Sequence, residues 1–251
     1  MTSENKPNGE MRPVAIVTGG SRGIGAACCL ALAGEGFRIG LNYRSSGDEA
    51  EKILSACGPD GFLLKADLAD IDQVEAMVKD IKTQAGRVDV LVNNAGYSIN
   101  STIFTMSMEE FDRQRSMMRG VWYLVKRVLR TMMFRQSSGK IINISSVTGH
   151  TGNPGQIPYT MEKSAMDALT KSLARELSGK NIQVNSVAPG FIDTEMTHIL
   201  PEEIKDRILQ SIPAGRMGKP EEVAEVVAFL AAKGSYINGT VIHVNGGMYG
   251  G

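Results

Sequence analysis

The chain has 251 residues, 42% of them hydrophobic and 22% charged, which is close to the globular average and far from a disordered or collagenous composition. Its 27 basic residues balance 27 acidic ones, so no overall field draws it to nucleic acid or to an anionic membrane. Three cysteines, Cys28, Cys29 and Cys57, form no disulfide framework, and no apolar run approaches the roughly 20 residues that span a bilayer. A cytoplasmic protein that binds neither membrane nor nucleic acid is expected.

Residues 1–12 are polar, lack the apolar stretch of a signal peptide, and read as a disordered tail. From there the chain alternates short apolar runs with longer amphipathic ones. Strands are predicted at 14–18, 38–43, 62–66, 88–93, 140–145, 183–188 and 240–244, all rich in Val, Ile and Leu. Helices are predicted at 23–34, 48–56, 70–85, 108–136, 159–178, 202–210 and 221–232. Near-continuous apolar strands separated by helices describe an α/β fold: one doubly wound, seven-stranded parallel sheet with helices on both faces, filling a single domain over 13–251. The irregular stretch 189–201 is a place for a substrate lid.

The first strand runs into Thr18-Gly19-Gly20-Ser21-Arg22-Gly23-Ile24-Gly25, and a helix follows at once. Glycines at 19, 23 and 25 remove side chains where backbone approaches a pyrophosphate, and the free N–H groups of a helix start face that anion. A glycine-rich turn without ligand has the same composition; the position at the first strand-to-helix switch favours a dinucleotide. The second strand ends in Asn42-Tyr43-Arg44, with a cation where an NAD-binding chain carries a carboxylate. Arg44, helped by Arg22, suits the 2′-phosphate of NADP. Both arginines are equally readable as solvated surface charges.

Tyr159 and Lys163 are four apart in a predicted helix and project from one face. A free tyrosine, with a pKa near 10, is a poor proton donor or acceptor at neutral pH, and a neighbouring ammonium corrects that. Ser146, just past a strand, is placed to hydrogen-bond a carbonyl oxygen. Taken alone the Tyr-x-x-x-Lys spacing is a weak signal.

The set Thr18–Gly25, Asp67-Leu68, Asn93-Asn94-Ala95-Gly96, Ser146, Tyr159-x-x-x-Lys163 and Pro189-Gly190 resembles, in order and spacing, the short-chain dehydrogenases/reductases, from about Pro13 to Gly251. Segments 187–196, 212–218 and 243–249 are similar to those of bacterial 3-oxoacyl-acyl-carrier-protein reductases. The resemblance implies a Rossmann fold, a nicotinamide cofactor and a catalytic set of Ser146, Tyr159 and Lys163. It assigns Gly19, Ser21, Arg22, Gly23, Ile24, Gly25, Tyr43, Arg44, Asp67, Leu68, Asn94, Ala95, Gly96, Pro189, Gly190, Ile192 and Thr194 to the cofactor, together with Tyr159 and Lys163. Asp67 would hold the adenine amino group, Asn94 with Ala95-Gly96 would line a ribose, and Ile192 and Thr194 would meet the carboxamide. Lys163 would bind the nicotinamide ribose.

The activity implied is NADPH-dependent reduction of a 3-oxoacyl thioester on an acyl carrier protein or CoA, in fatty acid or polyketide-type synthesis. A homotetramer is implied, paired through the long helices 108–136 and 159–178 and through the C-terminal strand. Arg127, Arg130, Arg135 and Lys180 are candidates for docking an acidic carrier near the site mouth. Two positions depart from the family. Met118 stands where an asparagine takes part in the proton relay, and Glu162 stands where the residue is usually small. Met118 reads best as core and Glu162 as solvated. Two rivals remain: a dehydrogenase of small ketones or alcohols, and a weakly active cofactor-binding subunit in a hetero-oligomer with a related reductase. His150, His198 and His243 lack metal-ligand spacing, so no metal is expected. Methionines near 106–108 and at 196 are candidates to line the substrate groove.

Overall fold

The structure, a computed structural model, describes residues 12–198 and 201–250, the side chain of Met196 excepted. Seven strands form one parallel sheet: β1 Val14–Val17, β2 Arg38–Tyr43, β3 Phe62–Lys65, β4 Val90–Asn93, β5 Gly139–Ile144, β6 Ile182–Pro189 and β7 Val241–Val244, in the order β3-β2-β1-β4-β5-β6-β7. The helices are α1 Gly23–Gly34, α2 Gly47–Cys57, α3 Ile71–Gln84, α4 Met108–Thr131, α5 Thr148–Thr151, α6 Ile157–Glu176, α7 Glu195–His198, α8 Glu202–Ser211 and α9 Pro220–Ala232. Strand order reverses between β1 and β4, and the carboxyl ends of all strands share one edge. In such sheets that edge, at that switch, is where ligands bind.

Burial explains the apolar runs. β1 and β4 are buried at every position because helices cover both faces. One core lies under α3, α4 and α6, with Leu64, Met77, Leu91, Leu124 and Ile141 among its members. The other lies under α1, α2 and α9, around Leu32, Ile39, Leu41, Val92 and Val227. Helix starts follow local chemistry. Asp70 caps α3 by accepting from the N–H groups of Asp72 and Gln73, and Ser107 with Glu110 forms a reciprocal capping box on α4.

Four expectations change. The predicted helix 108–136 is α-helical only to Thr131 and widens into a π-helical turn over Met132–Gln136. There the Gln136 amide clamps both backbone polar groups of Val88, at 2.8 and 3.0 Å, and Ser137 leaves the helix with φ of 58°. The short α5 was not foreseen, and α6 begins two residues before Tyr159, with Pro158 in its first turn. Arg12, counted with the tail, is anchored: it donates to the carbonyls of Gly36 and Phe37 and pairs with Asp60 at 2.8 Å. The other eleven tail residues lie outside the described residues. The stretch 189–201 contains α7, while residues 199–200 fall outside the description.

Candidate active site

The glycine loop is held from beneath by two amides. Asn42, buried at the end of β2, donates to the carbonyls of Leu64 and Ala66 at 3.0 and 3.1 Å. Its Oδ1 accepts from Gly19 N–H at 3.2 Å, and its carbonyl accepts from Gly20 N–H at 2.8 Å. Asn94, past β4, donates to the carbonyls of Thr18 and Gly19 at 2.9 and 3.1 Å. Thr18 returns the contact, its hydroxyl accepting from the N–H groups of Asn94 and Ala95. Gly19 and Gly23 have φ of 63° and 54°, in the left-handed region open to glycine. A Cβ on Gly25 would stand 2.1 Å from the Gly19 carbonyl oxygen, so only glycine lets the loop close there. The first turn of α1 has no side-chain cap and no acidic residue. An uncapped helix start under a glycine cradle fits a dinucleotide pyrophosphate.

Around this cradle the other sequence-selected residues gather at the same edge. The methyl of Thr194 lies 3.4 Å from where a Gly23 Cβ would be, which brings the start of α7 over the loop. Ile192 is buried and bridges Gly218, and Gly190 packs on the backbone of Asn245. Leu68 turns its side chain into the core, leaving only its backbone to a ligand; its carbonyl lies where a Cβ on Gly120 would go. Tyr43 packs beside Gly47, and Asp67 accepts from Ala69 N–H at 2.9 Å. The cations have carboxylate neighbours that the sequence did not announce. Arg44 is 3.8 Å from Asp67, and Arg22 is 2.7 Å from Glu195, all on exposed or half-exposed side chains. In water such pairs contribute about 1 kcal/mol or less, so a phosphate can displace the carboxylates.

Lys163 is almost fully buried and donates to the Ile144 carbonyl at 2.9 Å, at the end of β5. Its ammonium lies 5.5 Å from the centre of the Tyr159 ring and 3.4 Å from where a Gly96 Cβ would be. Ser146, buried, shares a 2.9 Å hydrogen bond with Thr148 in α5. One edge therefore presents a hydroxyl, a half-buried phenol and a buried ammonium beside the glycine cradle.

Not every sequence-selected residue lies where it was expected. Glu162 is not solvated: it is 5% exposed and accepts from Gln114 Nε2 at 2.5 Å. Burial pushes its carboxyl above the usual carboxylate range, against the opposing pull of Lys163 and the Gln114 hydrogen bond. Gln114 carried no signal in the sequence. Met118 is partly buried against the core beneath α4, as expected of a packing residue. Arg127, Arg130 and Arg135 flank a groove that includes Val88, just before β4, at the edge of the sheet opposite Ser146. Within one chain they are not at the site mouth, and Arg127 is engaged by Glu75. Met108 is exposed at the start of α4. His150 lies 2.9 Å from Asp167 and clusters with His243 and Tyr249, while His198 pairs with Asp193. Among the described residues no group of three His, Cys, Asp or Glu is placed to hold a metal, and no helix is long and apolar enough to cross a membrane.

Comparison with known proteins agrees with this geometry. A family model described as enoyl-(acyl carrier protein) reductase matches residues 19–249. A 3-oxoacyl-(acyl-carrier-protein) reductase FabG of Staphylococcus aureus strain Mu50 is 45% identical over 245 residues, covering 96% of this chain and 99% of the relative. Proteins of the same name from Haemophilus influenzae and Vibrio cholerae are 44% and 42% identical, each covering 94% of this chain and 98% and 97% of their own. The chain belongs to the short-chain dehydrogenases/reductases and is a nicotinamide-dependent oxidoreductase.

Proposed function

We propose that the chain reduces the 3-keto group of an acyl thioester carried on an acyl carrier protein, with NADPH as the reductant. One observation carries the reading: the buried Lys163 ammonium beneath the Tyr159 ring, next to Ser146, in a chain similar along nearly its whole length to 3-oxoacyl reductases. The description of the family model names reduction of a carbon–carbon double bond instead. Ser146 and Tyr159 together favour the ketone, because two hydroxyl donors suit an oxygen on which negative charge develops.

In this reading Gly19, Ser21, Arg22, Gly23, Ile24 and Gly25 hold the pyrophosphate, and Tyr43 and Arg44 bind the adenosine ribose phosphate. Asp67 and Leu68 bound the adenine. Asn94, Ala95 and Gly96 border a ribose, and Pro189, Gly190, Ile192 and Thr194 meet the carboxamide. When bound, the nicotinamide supplies a hydride. Ser146 donates a hydrogen bond to the ketone oxygen, and Tyr159 gives that oxygen its proton. Lys163, held by the Ile144 carbonyl, keeps a positive charge beside the phenol and eases its loss of the proton. The homotetramer expected of the family is supported by exposed Trp122 on α4 and Met161 on α6.

Steady-state rates with a 3-ketoacyl thioester, a 2-enoyl thioester and a free ketone, each with NADPH and NADH, test the proposal. The 3-ketoacyl thioester with NADPH should have the highest kcat/KM. A higher value for the enoyl thioester or the free ketone would overturn the substrate assignment, and a higher value with NADH the cofactor assignment.

A further inference from the structure

The buried carboxyl of Glu162 has no part in the chemistry above, yet it stands beside the groups that perform it. On α6 it lies three residues after Tyr159 and directly before Lys163, so it and Tyr159 share one face of the helix, about 5–6 Å apart at Cβ. A carboxyl this buried needs donors. Gln114, fully buried on α4, supplies one through Nε2 at 2.5 Å. The same amide donates to the Tyr97 carbonyl at 2.9 Å and accepts from Ile99 N–H at 3.0 Å. Gln114 thus ties α4, the segment after β4 and the catalytic helix together at one point. One turn along α4, Met118 offers only a thioether, so the strong polar link between the two helices here runs through Gln114 and Glu162.

We propose that Glu162, oriented by Gln114, is a positioning residue whose carboxylate form holds Tyr159 as the phenol and thereby extends to higher pH the range in which Tyr159 can give its proton to the ketone. Lys163 pulls the other way, since an ammonium favours the phenolate. Tyr159 therefore sits between opposing charges that share its helix face, and Glu162 offsets part of the pull of Lys163. Tyr97, from the segment after β4, donates to the Arg113 carbonyl on α4, and burial weakens its acidity, opposed by the Ser116 hydroxyl and the charge of Arg113 and assisted by the charges of Glu162 and Asp67. Burial works against ionisation of Glu162, whereas Lys163 and the Gln114 hydrogen bond favour it. Removing that hydrogen bond would make the carboxyl more neutral.

The proposal rests on Tyr159 as proton donor, and its test reads the tyrosine without substrate or cofactor. Ultraviolet absorbance of tyrosinate is followed against pH in the cofactor-free protein, with Tyr159→Phe identifying the contribution of Tyr159. In Glu162→Gln that contribution should appear at lower pH than in the unaltered chain, by at least about half a pH unit. Gln114→Met should move it in the same direction by less. The high-pH limb of kcat for ketone reduction should move likewise, with KM for NADPH unchanged. A folded Glu162→Gln protein whose tyrosine signal stays in place or moves to higher pH overturns the proposal. So does a fall in kcat at every pH without a shift, which marks a structural role alone. If Glu162→Gln does not fold, the Gln114→Met titration decides by the same criterion. Full activity in Tyr159→Phe would instead sink the proton-donor assignment, and the absorbance titration would still report on Glu162.

Discussion

The glycine loop and the first turns of α6 lie at the same edge of one sheet but are built from different materials. The loop is backbone held by backbone and by two neutral amides, Asn42 and Asn94. The start of α6 carries ionisable side chains pressed into the interior: Glu162, Lys163 and Asp167 are each at most 5% exposed. A site of the first kind works by shape and by N–H groups that point outward, and its charge does not vary with pH. The second kind works through the balance of protons among buried groups. It is costly to fold and sensitive to single atoms. In the proposed function the cofactor side is thus a hydrogen-bonded backbone cradle, and the proton side a cluster of buried ionisable groups.

Breaking the cradle should produce the larger loss of stability. Asn42→Ala leaves Gly19 N–H and the carbonyls of Leu64 and Ala66 without their partner, at a cost of about 1–3 kcal/mol. Denaturant unfolding should show that loss together with weaker nicotinamide binding; unchanged stability would mean that the loop does not depend on its amides. The proton cluster should show its character in pH dependence. Glu162 has a raised carboxyl pKa in the folded state, so its contribution to stability is fully present below the ordinary carboxylate value. That contribution is lost as pH rises through the raised value. The melting temperature of Glu162→Gln should lack this part of the slope, and identical slopes in the two proteins would contradict the burial seen here. The smallest effect belongs to the rim. Arg44→Ala should raise the KM for NADPH by less than about tenfold, because the side chain is exposed, and leave that for NADH almost unchanged. Equal changes for both cofactors would remove Arg44 from phosphate recognition.

The same contrast explains what could be read from residues alone. The strands, the glycine loop and the Tyr159–Lys163 spacing are contiguous patterns, and local chemistry decides them. Gly19, Gly23 and Gly25 were legible because the absence of a side chain has a local meaning at a strand-to-helix switch. Glu162 was not legible, because its burial depends on Gln114, 48 residues away on another helix. The widening of α4 at Met132 depends likewise on the Gln136 clamp on Val88, also 48 residues distant. Arg127, Arg130 and Arg135 were expected near the site mouth, but α4 and the π-helical turn after it carry them to the edge of the sheet opposite Ser146. Arg12 belongs to the fold only because Gly36, Phe37 and Asp60 meet it in three dimensions.

The central claim is that Tyr159 gives the proton to a ketone beside a cradle built independently of it. Single-turnover reduction of a 3-ketoacyl thioester by Tyr159→Phe, measured with NADPH affinity on the same protein, tests it most directly. NADPH affinity should be unchanged and the rate lower by about 10²–10⁴-fold. A rate close to that of the unaltered chain would contradict it.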